Sequence, residues 1–224
     1  MNPLPRRLVA EALGTFGLVF IGCGAVVMSQ FPGATYGLLG IAIAHGLVLA
    51  IMVTATMNIS GGHLNPAVTV GLLAAGRTTG KDAAAYIAAQ LAGAVLAAFM
   101  VKGLFPAGTA QLTLLGTPTI ANTIEIGPAI GIEAVLTFFL VSAVFGTAVA
   151  PDAPKVGGFA IGLVLVFDII VGGQLTGAAM NPARAFGPAL VSGAWAGHAA
   201  YWIGPLLGGV LAGLLWEKVL LRKG

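Results

Sequence analysis

Apolar residues form six stretches along the chain that are each long enough to cross a membrane as a helix. Such a crossing needs about 20 residues to span roughly 30 Å of hydrocarbon. With approximate bounds, the predicted spans are 7–29, 36–56, 83–103, 128–150, 156–173 and 198–219. Two further apolar stretches, 66–75 and 182–191, are only about half as long as a span, and each follows an Asn-Pro pair. Short apolar segments at corresponding places in two halves indicate half-helices that meet near the membrane midplane.

The sequence of the first half returns in the second half. A displacement of 116 residues carries Asn65-Pro66-Ala67 onto Asn181-Pro182-Ala183. Near the starts of the halves, Glu11-Ala12 matches Glu133-Ala134. Two copies of one tripeptide in register with other matches are far rarer than chance repetition of common residues would give.

Each half contains three predicted spans and one half-helix, and an odd number of crossings inverts one half relative to the other. We therefore predict an all-α membrane protein with six transmembrane helices and two re-entrant half-helices in two inverted repeats. Residues 1–224 are predicted to form a single transmembrane channel domain, with the repeats at approximately 7–103 and 128–221.

Composition supports the membrane class. The chain is 58% hydrophobic and only 8% charged, whereas an ordinary soluble domain carries about 25% charged residues. Its mean hydropathy is +1.01. These values argue against a soluble enzyme, and a net charge of +3 gives no reason to expect nucleic acid as a partner. We expect a lipid bilayer as the surroundings of the protein.

Basic residues predict the orientation. With a cytoplasmic N-terminus, eight of the ten basic residues fall on the cytoplasmic side, which matches the positive-inside rule. These eight are Arg6, Arg7, Arg77, Lys81, Lys155, Lys218, Arg222 and Lys223, while Lys102 and Arg184 fall outside. The rule predicts that both termini are cytoplasmic and that 104–127 is the longest loop, on the outer side. We expect the cell membrane as the location.

The two Asn-Pro pairs carry the candidate chemistry. Asn is a favoured N-cap, and Pro suits the first helical position because it has no N–H to satisfy. Two half-helices that start at the midplane would direct two positive dipole ends at one point, which repels cations. If each Asn oxygen caps its own helix, each NH2 group stays free to donate to a passing solute. This arrangement favours a neutral, hydrogen-bonding solute over an ion.

The segments GGHLNPAVTVG (61–71) and GAAMNPARAFGPAL (177–190) resemble the two signature boxes of the aquaporin, or major intrinsic protein, family. The resemblance extends over essentially the whole chain, including EALGTF near the start and YWIGP at 201–205. It implies six spans, two re-entrant half-helices, a pore in each subunit and a homotetramer.

Family members carry a narrow outer constriction of four residues. Transferred by its spacing from the two boxes, this resemblance assigns the selectivity filter to His45, Ile169, Ala178 and Arg184. The combination is similar to plant tonoplast intrinsic proteins, which conduct water and often ammonia, urea or hydrogen peroxide. Ammonia-conducting members can carry a histidine in the long outer loop, and 104–127 contains none.

Other polar groups receive structural roles. We expect backbone carbonyls to line the pore beside each box, at Gly61, Gly62 and His63 on the inner side and at Gly177, Ala178 and Ala179 on the outer side. Glu11 and Glu133 are predicted to anchor the re-entrant loops, because backbone that is not helical must be satisfied inside the membrane. Proton coupling is the alternative role for these two carboxylates. Asp168 receives no assignment.

Three other functions remain as alternatives. A glycerol or small-polyol facilitator belongs to the same family, but Ala185 follows Arg184 where such facilitators usually have Asp. A secondary transporter with inverted repeats would need an acidic coupling site, and the boxes contain no carboxylate. An ion channel is disfavoured by the facing dipoles. The sequence has no nucleophile–base pair or metal-ligand cluster, so we predict no enzyme, no metal and no cofactor.

Overall fold

The computed structural model describes residues 2–221, so Arg222 and Lys223, two of the basic residues predicted on the cytoplasmic side, lie outside the described residues. All the regular elements in this part of the chain are helical. In chain order they are α1 Leu4–Met28, α2 Gly37–Ser60, α3 Pro66–Ala74, α4 Gly80–Leu104, α5 Ala107–Leu112, α6 Ile126–Val144, α7 Phe159–Thr176, α8 Pro182–Ser192 and α9 Ala200–Leu215. Helices α6 and α9 each continue through a π-helical turn, at Phe145–Val149 and Trp216–Leu220.

Six of the helices are long and apolar enough to cross a membrane, which confirms the six predicted spans. They are α1, α2, α4, α6 with its π-helical turn, α7, and α9 with its π-helical turn. The largest shift of a boundary is at the end of α2, which runs on to Ser60, and α7 likewise runs past its predicted end to Thr176. Both helices end at a glycine with positive φ, 94° at Gly61 and 82° at Gly177. Hydropathy did not mark these ends, because the stop is a backbone conformation that glycine adopts without steric cost.

The two short predicted segments are confirmed as half-helices α3 and α8. Each begins with proline directly after an extended asparagine, Asn65 or Asn181. Each asparagine side chain accepts a bond from the first turn of its helix, as expected of an N-cap. These short helices are therefore started by local sequence chemistry.

Glycines bring the long helices close together at equivalent places in the two halves. Helix α1 packs on α4, and α6 packs on α9. A Cβ at Gly93 would collide with the carbonyl of Ala12, and a Cβ at Gly208 would collide with the carbonyl of Ala134. Small residues of this kind let membrane helices pack backbone against backbone.

Each half-helix packs against the last long helix of the opposite half, α3 against α9 and α8 against α4. The contacts again lack room for a side chain. A Cβ at Gly71 would lie 2.6 Å from the carbonyl oxygen of Gly209, and one at Gly187 would lie 2.5 Å from that of Ala94. The half-helices therefore connect the two halves of the bundle.

The outer segment 104–127 is more ordered than the predicted loop. It contains α5 and a 3₁₀ turn at Leu114–Gly116. Ala110 and Leu115 are buried against α1, in a cluster that includes Val19 and Cys23. Burial of these apolar side chains explains why a segment rich in Thr, Gly and Pro folds onto the bundle.

Candidate functional site

The two Asn-Pro turns meet in the centre of the bundle and are tied to each other. The Nδ2 of Asn65 donates to the Met180 carbonyl at 2.8 Å, and the Nδ2 of Asn181 donates to the Leu64 carbonyl at 2.9 Å. The prediction that both NH2 groups stay wholly free is therefore wrong, because one N–H of each is bonded to the opposite turn. An amide has two such hydrogens, so each asparagine keeps one for a solute.

Glu11 lies beneath the first turn with its carboxylate fully buried. Its oxygens accept from the Ser60 hydroxyl at 2.6 Å and from the backbone N–H groups of His63 at 3.0 Å and Leu64 at 2.7 Å. The Gln90 side chain donates to the same carboxylate at 2.8 Å. Every one of these donors would be costly to leave unpaired in a membrane interior.

Glu133 does the same for the second turn. Its carboxylate, also fully buried, accepts from the Thr176 hydroxyl at 2.7 Å and from the backbone N–H groups of Ala179 at 3.0 Å and Met180 at 2.7 Å. These bonds hold an unusual backbone: Met180 has a φ of 50° and its counterpart Leu64 a φ of 51°. Such angles are strained for residues with side chains, so the surroundings must enforce them.

Each of the two segments that lead to the asparagines contains three backbone carbonyls without a donor in the described part of the protein. In residues 2–221, the carbonyl oxygens at 61–63 and 177–179 accept no hydrogen bond from another protein group. By contrast, the carbonyls that flank these segments, at Ser60, Leu64, Thr176 and Met180, are all used. Six acceptors are thus available for solute, at the residues expected to line the pore.

Three cavities follow one another through the molecule and share residues where they join. The outer cavity, named because Gly116 of the segment 104–127 lines it, shares His45 and Arg184 with the central cavity. The central cavity and the inner cavity share His63. Asn65 and Asn181 both line the central cavity, whose other walls are mostly apolar. The series describes a path through the bundle with polar groups at its middle and at both junctions.

The four predicted filter residues come together at the outer junction. Ile169 lines the outer cavity and Ala178 the central one, while His45 and Arg184 line both. Arg184 donates from Nη1 to the Gly116 carbonyl at 2.9 Å, and its Nη2 lies 3.2 Å from His45 Nε2. His45 Nδ1 lies 2.9 Å from the Ile41 carbonyl. A carbonyl only accepts, so Nδ1 carries the proton and Nε2 accepts from Arg184.

Sequence reasoning missed the Gly116 carbonyl as a partner of Arg184. The two residues are far apart in the chain, and the group involved is backbone, so no side-chain pattern announces it. Asp168 also stays outside the site: its side chain is 1% exposed and Oδ2 has no bonding partner within residues 2–221. It lines none of the three cavities.

The inner cavity is lined by an ion pair that the sequence did not reveal. Arg7 forms a two-pronged ion pair with Asp82, with N–O distances of 3.0 and 3.2 Å, and its guanidinium lies 5.7 Å from the centre of the Tyr86 ring. At the same opening, Asn2 donates to the carbonyls of Asn58 and Ile59. The Asn2 bonds fix the chain before α1 against the end of α2, and the ion pair joins α1 to α4.

A bundle of six apolar helices, two half-helices that meet at its centre and a series of cavities that share lining residues define a membrane channel. Comparison with known proteins agrees with this class. The family model described as major intrinsic protein matches residues 2–216. Aquaporin TIP4-4 of Zea mays is 44% identical over 229 residues, which cover 98% of this chain and 88% of the relative. Probable aquaporin TIP3-2 of Arabidopsis thaliana is 40% identical, with 96% of this chain and 84% of the relative covered.

Among solved structures, the aquaglyceroporin from Plasmodium falciparum is similar with a TM-score of 0.86, at 25% sequence identity and with 97% of each chain covered. The chain belongs to the major intrinsic protein family. It is an integral membrane protein with several crossings.

Glu133→Gln tests the anchoring of the second turn. The amide that replaces one oxygen presents donors where a backbone N–H already donates, so one buried N–H loses its acceptor. We expect a loss of about 1–3 kcal/mol in the free energy of unfolding, measured in detergent, with faster hydrogen exchange at the Met180 amide. Glu217→Gln is the control, since it breaks only the exposed pair with Arg77 and should cost less than about 1 kcal/mol. Equal losses for the two variants would contradict the anchoring role.

Proposed function

We propose that this protein is a passive channel for water that also admits small neutral solutes, namely ammonia, hydrogen peroxide and urea, and that excludes protons and other ions. The observation that carries the proposal is the series of three cavities, with Asn65 and Asn181 at its centre and His45 and Arg184 at its outer junction. Relatives named aquaporin, at 40–44% identity over nearly the whole chain, support it.

Water would cross as a single file held by hydrogen bonds to the protein. The unpaired carbonyls at 61–63 and 177–179 offer acceptors along the path, and the apolar wall opposite offers none. At the centre, the remaining N–H groups of Asn65 and Asn181 donate to the oxygen of one water molecule. A water that accepts two such bonds is poorly placed to accept a proton from its neighbour.

Electrostatics would exclude cations at two levels. The N-termini of α3 and α8 direct positive dipole ends toward the central cavity. At the outer junction, the guanidinium of Arg184 adds a full positive charge, and this residue is only 4% exposed. Neither the dipoles nor the arginine penalises a neutral molecule, so size and hydrogen bonding decide which neutral solutes pass.

The filter walls favour solutes somewhat larger than water. Arg184 supplies fixed donors, while Ile169 and Ala178 contribute an apolar wall and a small side chain. His45 directs its Nε2 to Arg184. We infer a constriction that passes water and admits ammonia, peroxide and urea more readily than glycerol.

A glycerol or small-polyol facilitator is the second candidate, and the similar solved structure is named an aquaglyceroporin. Its identity of 25% is well below the 40–44% shared with relatives named aquaporin. A proton-coupled transporter or an enzyme is less well supported. The carboxylates of Glu11 and Glu133, the candidates for proton coupling, accept hydrogen bonds from loop N–H groups instead.

Flux measurements on purified protein in proteoliposomes test the proposed function. With stopped-flow light scattering, we expect water permeability well above that of protein-free vesicles, together with measurable ammonia, peroxide and urea flux and little glycerol flux. Water flux without ammonia, peroxide or urea flux would remove the additional solutes. Glycerol flux that rivals water flux would favour the facilitator, and uphill counterflow would favour a transporter.

We further propose that the chain acts as a single channel domain of two inverted repeats, approximately 7–103 and 128–221, which assembles into a homotetramer with one pore in each subunit. Two matches between the halves support the repeats. Glu11 and Glu133 make equivalent bonds, each to its own loop, and Gly93 and Gly208 make equivalent close contacts between helices. Large apolar side chains exposed on the long helices support burial in lipid and between subunits.

A cryo-electron microscopy reconstruction in lipid nanodiscs tests the assembly. Four-fold particles whose subunits have oppositely oriented, superposable halves are expected, and single-chain particles would contradict the tetramer.

We place both termini in the cytoplasm and the protein in the cell membrane. Fractionation of cells with an antibody against the N-terminus tests this location, and enrichment in an internal membrane would overturn it.

A further inference from the structure

Three consecutive small residues of α1, Gly22, Cys23 and Gly24, lie directly behind the candidate filter. We propose that this tripeptide is a positioning wall that holds His45 and Arg184 in place and thereby sets solute selectivity. The inference rests on the proposed function, because it concerns the same filter. All three residues are buried, and none of them lines the central or the outer cavity.

Gly22 takes the place on α1 where a side chain would otherwise face the path. Leu18 and Val26, one turn before and one turn after it, line the central and the outer cavity. Residues four apart lie on the same helix face. At Gly22 the missing side chain is replaced by the imidazole of His45, since a Cβ there would lie 2.5 Å from Nε2 and 2.6 Å from Cδ2.

The imidazole has little freedom to move away from such a Cβ. Its Nδ1 is bonded to the Ile41 carbonyl, and its Nε2 accepts from Arg184. Any shift large enough to relieve the contact breaks one of these bonds and moves the ring toward the path. Glycine at position 22 is therefore what permits the His45–Arg184 bond.

Cys23 supports the second partner of Arg184. Its Sγ lies 3.7 Å from the Gly116 carbonyl oxygen, the same oxygen that accepts from Arg184 Nη1. Gly116 has a φ of 74°, and a Cβ there would lie 2.8 Å from the Cα of Cys23. The backbone of the outer segment thus rests directly on α1, which fixes where this carbonyl meets the guanidinium.

Gly24 seats the start of the same outer segment. A Cβ at Gly24 would lie 2.9 Å from Cζ of Phe105, the residue that follows α4. Phe105 packs with Cys23 and Leu115 in one apolar cluster. Contacts at Gly24 and Cys23 therefore hold the outer segment on both sides of α5, while the contact at Gly22 holds the histidine.

Gly22→Ala tests the wall, with Gly17→Ala as the matched control on the same helix. The three nearest heavy atoms to a Cβ at Gly17 all belong to the flexible side chain of Met52, the nearest at 3.2 Å. We expect Gly22→Ala to lower water permeability about tenfold and to lower urea permeability by a larger factor, because the displaced ring narrows the filter. The control should keep wild-type values for both solutes.

A double variant separates this mechanism from general misfolding. The three nearest heavy atoms to a Cβ at Gly22 all belong to the His45 ring. Once the ring is gone, the methyl group should therefore lower neither permeability further. Gly22→Ala/His45→Ala should then match His45→Ala for both water and urea. If the added methyl reduces flux as much without the ring as with it, the positioning role is overturned.

Two further readouts keep the inference separate from the proposed function. Solid-state NMR of ¹⁵N-labelled histidine should show the hydrogen-bonded signal of His45 Nε2 in the wild type and its loss in Gly22→Ala, whatever solute the channel carries. An unchanged signal would overturn the inference, whereas a wild type without water flux would overturn the proposed function alone.

If Gly22→Ala does not fold, Cys23→Ala should still change the ratio of urea to water permeability by about twofold or more, and an unchanged ratio would count against the wall.

Discussion

Backbone N–H groups inside a membrane must find acceptors within the protein, and this constraint shapes the centre of the molecule. Two chain segments leave helical geometry there to reach the starts of α3 and α8. Glu11 and Glu133 supply the missing acceptors, each to two backbone N–H groups and a hydroxyl. Because the carboxylates take up the N–H groups, the carbonyls of the same segments are left for solute. The need to satisfy backbone thus creates the polar lining of the path.

The second consequence is that the halves are tied to one another across the centre. Each asparagine caps its own half-helix and donates to the turn of the other half. Each half-helix also packs against the last long helix of the opposite half, with glycine at the contact. Movement of either half-helix would disturb both asparagines, so the geometry at the centre is shared by the whole bundle and does not belong to one loop.

Sequence reasoning succeeded where the signal is local. Hydropathy located the six spans, and the Asn-Pro pairs located the half-helices, because N-capping and the missing N–H of proline act within one turn. It also brought His45 and Arg184 to one place by means of the family resemblance. It failed for the Gly116 carbonyl and for the bonds between Asn65 and Met180 and between Asn181 and Leu64. These partners are backbone atoms distant in the chain, and their positions depend on the packing of the outer segment and of the two turns.

The central claim is that the facing N-termini of the half-helices and the two asparagines allow water to cross and exclude protons. Water permeability and proton flux measured in the same proteoliposomes, the second with an entrapped pH-sensitive dye under an imposed pH gradient, test it most directly. We expect fast osmotic water flow with proton flux no higher than that of protein-free vesicles. Proton flux that rises in proportion to the amount of reconstituted protein would contradict the claim.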